Sequence, residues 1–575
     1  MIRVSRSTVG TVRALVLTQG PALVLLGMSV TTVPVQGQSR QAPSPTQVSC
    51  EALAGQIESA DFPVANTRIT MVTFNAAGTT RANDVPLPDH CVIQGTAGAF
   101  IGTDGVDYGA GFELRMPLNW NGRFMFQGGG GSEGTVPAAT GAAGSLSPTL
   151  AKGWAVVSQN GGHDNAVLTA AGKSTLDYMR EPRAFRGHAF GSIDETARTA
   201  RFLMQKFYGR LPDRSYHVGC STGGRQGMVF SQQFPDYFDG IVVGDPVYDL
   251  TALTQSETNA LQAIAAIVSK DEAGDARFHE SFSVADQRLV TRAILDGCDG
   301  LDGVTDGIVD NVPACTFDPV THVFRDTGEP LQCAGEKDAS CLTPAQVGAI
   351  VRIHTGPQSS AGAPVVMPSG TRVEGYPYDG GFMAPTGIPV RDIGTATAQP
   401  GNLGLGTNQI GYYLRPQVPD LVPYKTWNFD TDPARIDSSV PLPAVSTDLS
   451  AFKRRGGKLL FYHGASDPGP SVQYIINYFA SLAPLNEGQS FAKLYLVPGM
   501  GHCRGGPAPD QFDLLTPLVE WVEQGIAPDT IAASGSAFPT APATRTHPLC
   551  AWPKTAWYTG PAGGDVGDAS NFACR

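Results

Sequence analysis

The chain has 575 residues, a formal net charge of −12 and 16% charged side chains, against roughly 25% in typical globular proteins. The length leaves room for a large core and for two or more domains. The acidic balance, with no basic run, argues against nucleic acid as a partner and fits plain solubility.

Arg3, Arg6 and Arg13 precede or open an apolar stretch that runs from Pro21 to Val30, and Val35-Gln36-Gly37 offers small residues for cleavage. Residues 1–37 therefore read as a secretory signal, too short and wrongly flanked for a membrane span. No cysteine precedes Cys50, so a lipid-anchored cysteine is not expected, and residues 39–47 read as a flexible mature N-terminus. No later segment is long and apolar enough to cross a bilayer. The ten cysteines are even in number and none forms a C-x-x-C zinc spacing. In an exported chain, secreted or periplasmic, they predict disulfides whose pairing the spacing leaves open.

The block 38–246 predicts strands at Ile69–Phe74, Phe112–Met116, Phe124–Gln127 and Ala155–Ser158. Four glycines, Gly128 to Gly131, follow the third of these and point to close backbone approach. A helix is predicted from Ser192 to Tyr208, opened by a capping box at Ser192-Ile193-Asp194-Glu195. Ser215–Val218 reads as a strand and Gly224 onward as a helix. Between them lies Gly219-Cys220-Ser221-Thr222-Gly223, the G-x-S-x-G nucleophile elbow of α/β-hydrolases. Ile241–Val243 is a further buried strand.

From 247 to 445 the pattern turns irregular, which reads as a lid inserted into the α/β domain. Its densest feature is Cys298 to Asp310, with Asp299, Asp302, Asp306 and Asp310 on a glycine-punctuated loop. Such a loop suits Ca²⁺, which wants several oxygens at once, though not in EF-hand spacing. A turn of solvated carboxylates is the equal alternative at this point. The block 446–575 returns to strands at Lys458–Tyr462 and Lys493–Val497. The first is followed by His463-Gly464-Ala465-Ser466-Asp467, the second by Pro498-Gly499-Met500-Gly501-His502-Cys503. A helix is predicted from Asp510 to Gln524.

Ser221, Asp467 and His502 thus occur in the order a hydrolase elbow requires, each just past a strand end. His502 is the expected base, Asp467 its orienting acid, and the Thr222 N–H one oxyanion donor. His163 precedes the serine, so it is expected to be structural or part of the pocket wall, and His463 lies a strand away from the base and is expected to be structural. A serine peptidase and an inactive binding module on the same fold are the rival classes.

These motifs, with Trp120-Asn121-Gly122-Arg123-Phe124 and Asp302-Gly303-Val304-Thr305-Asp306-Gly307-Ile308-Val309-Asp310-Asn311, resemble the tannase and feruloyl esterase family from about Cys50 to Cys574. The resemblance implies an α/β-hydrolase fold with a large lid between nucleophile and acid, and hydrolysis of small esters of aromatic, phenolic acids by a monomer. It implies Gly131 as the second oxyanion donor. It also implies structural Ca²⁺ on Asp299, Asp302 and Asp306 with the Val304 and Ile308 carbonyls. The implied disulfides are Cys50–Cys91, Cys220–Cys503, Cys298–Cys315, Cys333–Cys341 and Cys550–Cys574. Family members that hydrolyse a terephthalate monoester grip its free carboxylate with a lid arginine. Asn408 occupies that place here, with Tyr412 and Tyr413 as aromatic walls and Pro470 in place of an aromatic residue. Weak activity on terephthalate monoesters is the resulting expectation.

Overall fold

The apolar runs around Phe124, Ala155, Tyr216, Ile241, Leu460 and Leu494 become adjacent strands of one nine-stranded sheet. The strands are β1 (Arg68–Asn75), β2 (His90–Ile101), β3 (Asp107–Pro117), β4 (Arg123–Gln127), β5 (Ala155–Gln159), β6 (Arg214–Cys220), β7 (Gly240–Gly244), β8 (Lys458–Gly464) and β9 (Ala492–Val497). Their order is β1-β2-β3-β5-β4-β6-β7-β8-β9. β1, β2, β3 and β5 pair antiparallel, and from β5 to β9 every pairing is parallel. The computed structural model describes residues 45–142, 147–404, 406–488 and 490–575. The expected signal segment and most of the expected flexible N-terminus lie outside the described residues. Gln47 already begins a helix, Gln47–Gln56, capped by the Thr46 side chain.

The continuous apolar strands follow from burial on both faces. Phe124, Phe126, Ile241 and Val243 pack with Leu203, Met204, Met228 and Phe230 on one face. The alternate residues Met125, Tyr216, Val218, Val242 and Leu460 pack with Leu515, Leu518 and Trp521 on the other. This is the two-residue period of a strand. The helices that supply those partners are α1 (Ser192–Tyr208), α2 (Thr222–Gln233) and, last in the chain, a helix from Leu515 to Gln524.

Two local expectations change. The capping box at Ser192 does not form, because helical backbone already runs from Pro182 through Gly191; Ser192 Oγ is buried without a partner. The last helix begins at Leu515 rather than Asp510. Asp513 takes the N–H groups of Leu515 and Thr516, while Gln511 and Phe512 pair with Thr530–Gly535 in a separate three-stranded sheet.

Between β7 and β8 the chain makes no strand of the large sheet. This stretch holds the helices α3 (Leu250–Ala265), α4 (Val284–Cys298) and α5 (Pro344–Thr355). Its own apolar cluster includes Leu261, Ile264, Val290, Ile294, Ile350 and Phe382. Ser44–Arg575 is nevertheless one compact unit. All ten cysteines are paired, as Cys50–Cys91, Cys220–Cys503, Cys298–Cys315, Cys333–Cys341 and Cys550–Cys574. Among the described residues no helix is long and apolar enough to cross a membrane.

Candidate active site

β6 runs directly into α2 through Ser221, whose φ of 63° and ψ of −122° are costly for a residue with a side chain. The turn closes because its neighbours are glycines. A Cβ on Gly219 would lie 2.5 Å from the Gly223 carbonyl carbon, and one on Gly223 2.8 Å from the Gly129 oxygen. The strain lifts Ser221 Oγ above the strand ends.

There it meets the other two loops. His502 Nε2 is 2.8 Å from Ser221 Oγ, and His502 Nδ1 is 2.7 Å from Asp467 Oδ2. With the ring proton on Nδ1, the imidazole donates to Asp467 and accepts from the serine hydroxyl. Asp467 is fully buried. Burial pushes its carboxyl up, but the His502 charge, the bond from His502, His463 and the Gly469 N–H outweigh this, and the net direction is down. An ionised acid at that end of the chain favours an imidazolium at the middle. Cys220 and Cys503 flank Ser221 and His502 and are joined.

The glycine run faces the same point. The N–H groups of Gly131 and Thr222 have no acceptor among the described residues. The Thr222 hydroxyl donates to the Gly131 carbonyl at 2.6 Å, and the Gly223 N–H to Gly129 at 3.0 Å, locking the two segments together. Behind the run lies Glu133, which the sequence reading missed. It accepts Gln159 and Gln226 amides at 2.6 Å each, and Gln226 in turn accepts the Gly129 N–H at 3.1 Å. Burial pushes the Glu133 carboxyl up to about 8.

Ser221, Thr222, Gly131 and His502 open onto a cavity of about 690 Å³, within the range of small-molecule sites. Pro470 lines it; Asn408, Tyr412 and Tyr413 do not. Residues 407–413 form two short helical turns, so successive side chains point in different directions. Asn408 is exposed and Gln409 reaches the cavity. Tyr413 is buried with its hydroxyl on Gln409 at 2.7 Å, and the Tyr412 hydroxyl bonds Asp177 at 3.1 Å. Both tyrosines belong to the large core cluster that also holds Phe124, Phe126 and Ile241.

Two residues absent from the sequence reading line this cavity instead. Arg391 is half-buried and makes no hydrogen bond or ion pair with a described residue. Glu257, on α3, is buried, and its Oε2 has no partner. Gly406 leaves it room, since a Cβ there would sit 1.6 Å from Oε2. Burial, against the pull of Arg391, raises the Glu257 carboxyl to about 8, so it is neutral at pH 7. The guanidinium therefore faces the cavity uncompensated by Glu257. Neither residue carries a local sequence signal. The expected structural histidines are placed as such: His163 stacks on Tyr178, and His463 donates to the Pro470 carbonyl at 2.7 Å.

The aspartate loop lies in the insertion, closed by Cys298–Cys315. Asp299 accepts the N–H groups of Asp306 and Gly307, Asp302 that of Val304, and Asp306 that of Ile308. This leaves Asp302 Oδ2, Asp306 Oδ2 and Asp310 Oδ2 buried without a hydrogen bond. Arg545 Nη1 stands 3.3 Å from Asp306 Oδ2, out of hydrogen-bond alignment, and His547 Nε2 is 2.9 Å from Asp310 Oδ1. Burial and then Asp310 raise Asp302 to about 9; burial, Asp310 and Asp299 raise Asp306 to about 7. Carboxylates that resist ionising together are what a divalent cation relieves, so the residues suit one in kind. Their oxygens do not converge as tightly as one carboxylate oxygen each of Asp245 and Asp467 with a His463 ring nitrogen, which all lie within 4.8 Å of one another.

The tannase and feruloyl esterase family model matches residues 101–575. A mono(2-hydroxyethyl) terephthalate hydrolase of Piscinibacter sakaiensis is 38% identical over 566 residues, covering 92% of each chain. A probable feruloyl esterase B-2 of Aspergillus flavus is 26% identical, covering 89% of this chain and 92% of that one. The crystal structure of feruloyl esterase B from Aspergillus oryzae superposes with a TM-score of 0.72 at 24% identity, over 92% of this chain and all of that one. The fold is that of the α/β-hydrolases, and the chain belongs to the tannase and feruloyl esterase family.

Proposed function

We propose that the chain is a secreted carboxylic ester hydrolase that cleaves esters of aromatic acids through an acyl-enzyme on Ser221. The hydrogen-bonded series Ser221–His502–Asp467, opening on a cavity with two unpartnered N–H groups, carries this reading. His502 takes the serine proton as Oγ attacks the ester carbonyl. The Gly131 and Thr222 N–H groups hold the developing oxyanion. His502 returns the proton to the leaving alcohol, and water then repeats the path to release the acid.

The cavity also speaks to the acyl group. Arg391 brings a positive charge into it and Glu257 a neutral acid, which together favour an aromatic acid carrying a second, anionic group. Terephthalate monoesters fall in this class, against the expectation built on Asn408. Asp299, Asp302 and Asp306, with the carbonyls of Val304 and Ile308, would hold Ca²⁺. When bound, that ion supplies positive charge that pins the loop beside Cys298–Cys315. Five disulfides fit an oxidising compartment and so export.

Purified protein and its Ser221→Ala variant, assayed on an aryl ester and on a peptide amide, test the reading. Ester hydrolysis that falls by roughly 10⁶ in the variant, with circular dichroism unchanged, supports it. Peptide cleavage in preference to the ester, or turnover that survives in the variant, removes it.

A further inference from the structure

Asp467 is not the only acid at the base of the site. Asp245 and Asp467 are both buried, at 0% and 2% exposure, and their carboxyls lie within 4.8 Å of each other and of a His463 ring nitrogen. Asp245 follows the end of β7 as Asp467 follows the end of β8, so neighbouring parallel strands deliver both to one point. Its φ is +36°, in the region that disfavours a side chain, as are those of Ser221 at +63° and Cys503 at +66°.

Asp245 touches all three loops of the site. Its N–H donates to the Tyr462 carbonyl at 3.0 Å, and its Oδ1 accepts the Gly464 N–H at 2.9 Å. Its Oδ2 is 3.5 Å from Cys220 Sγ, beside Ser221, and the Cys503 N–H, beside His502, also bonds the carboxyl. The remaining neighbours are the Asp467 carboxylate, within 4.8 Å, and His463 Nε2, 3.9 Å from Asp245 Oδ1.

Two carboxyls this close and this dry do not both ionise unless a cation faces both. The titratable groups around the pair are His502, His463 and Tyr462, with Glu257 and Tyr376, neither a cation, on the Asp467 side; Cys220 and Cys503 are joined and do not titrate. His463 Nε2 stands 3.6 Å from Asp467 Oδ2 and 3.9 Å from Asp245 Oδ1, but its proton goes to the Pro470 carbonyl at 2.7 Å, its Nδ1 has no partner, and burial lowers its proton affinity, which favours the neutral ring. Burial keeps the Tyr462 phenol protonated. The His502 ring faces Asp467, its Nδ1 at 2.7 Å. One carboxyl of the pair must keep a proton, and it is the one that His502 does not face.

We propose that Asp245 is a positioning residue, a neutral carboxylic acid whose O–H donates to Asp467 and holds it in the orientation that His502 needs. This rests on the esterase reading of the Ser221 site. Burial, then the Asp467 charge, push Asp245 well up while Asp467 stays low, in agreement with the geometry. The same side chain ties the elbow, the acid loop and the histidine loop together, so all three loops share one hub.

The test compares Asp245→Asn and Asp245→Ala across pH on an uncharged aryl ester. Asparagine copies the neutral acid: its NH₂ donates to Asp467 and its carbonyl accepts the Gly464 N–H. Asp245→Asn should keep kcat within about threefold, because donor and acceptor are both replaced. It should leave the acid limb of kcat/KM in place. Asp245→Ala should lose tenfold or more in kcat with KM little changed, since an interaction that orients the base is removed. A charged Asp245 predicts the opposite for asparagine: loss of a nearby anion moves the acid limb to lower pH by about a unit or more. That shift, or an alanine variant as active as the asparagine variant, overturns the proposal. If alanine prevents folding, the infrared difference between the wild-type protein and Asp245→Asn at neutral pH decides. A carboxylic-acid C=O band lost in the variant supports the proposal, and no such band removes it. If the wild-type protein hydrolyses no aryl ester, the esterase reading fails, while the infrared result still reports the proton on Asp245.

Discussion

Cys220 and Cys503, with Cα atoms 6.0 Å apart, join the residue before Ser221 to the residue after His502 across 283 positions of sequence. Both partners of the Ser221–His502 hydrogen bond therefore hang from one covalent link. Ser221 and Cys503 also hold positive φ values, so each loop would relax if released.

Replacing both cysteines with alanine should therefore lower kcat by roughly a hundredfold, the effect of about 1 Å of misplacement at a reacting centre. The folded fraction, measured by near-ultraviolet dichroism, is held constant by working well below the melting temperature. The Cys333→Ala/Cys341→Ala variant is the control, since that bridge closes an 8-residue separation away from the cavity. Equal kcat losses in the two variants would mean the bridge near Ser221 acts only on global stability.

Calcium gives a second outcome. If the aspartate loop holds Ca²⁺, adding the ion to chelator-treated protein should raise the melting temperature. Saturation at about a hundred times the dissociation constant corresponds to about 2.7 kcal/mol. Asp302→Asn and Asp306→Asn should abolish that rise. A melting temperature indifferent to Ca²⁺ would leave the loop as a self-contained turn held by its own N–H bonds.

The parallel half of the sheet was legible because each of its strands is buried on both faces and so appears as an unbroken apolar run, as at Ile241–Val243 and Lys458–Tyr462. The elbow was legible because a turn at that φ and ψ demands glycine at Gly219 and Gly223. Asp245 could have been found by the same rule as Asp467, since one directly follows a parallel strand and the other lies three residues past the next. Arg391 and Glu257 could not: they come from separate lid segments and meet only through packing. Asn408 was misplaced for a related reason. One residue of offset on a helical turn rotates a side chain from cavity to solvent, and a motif match does not fix that rotation.

The buried acids set a pH signature. Burial raises Glu257 from 4.5 to about 8 in the folded protein. The folded state therefore keeps a proton that the unfolded state releases near pH 4.5. Between those values the unfolded state binds fewer protons, so this group's contribution to stability is present below about pH 4.5 and is lost as pH rises toward 8. The slope is about 1.4 kcal/mol per pH unit for one group. Glu257→Gln removes that slope. Its melting temperature relative to wild type should rise steadily from pH 5 to pH 8, roughly the span of that shift. A constant difference across that range would show that Glu257 is ionised throughout.

The proposed role of Arg391 makes the choice of acyl group testable. The Arg391 guanidinium lines the cavity with Ser221 and makes no hydrogen bond or ion pair with a described residue, only longer-range contact with Glu257 and Asp392, so a substrate anion can take both of its parallel donors. Charge-assisted bonds of this kind contribute about 1.5–3 kcal/mol, so Arg391→Ala should lower kcat/KM for mono(2-hydroxyethyl) terephthalate by about tenfold or more. An uncharged methyl benzoate should lose much less, because it never used the guanidinium. Arg391→Lys should fall between, keeping the charge but not the paired geometry. Asn408→Arg should change neither substrate, since residue 408 is exposed and lies outside the cavity. The opposite pattern, with Asn408→Arg raising terephthalate activity and Arg391→Ala cutting both esters equally, would return the specificity to the lid turn and leave Arg391 a structural cation.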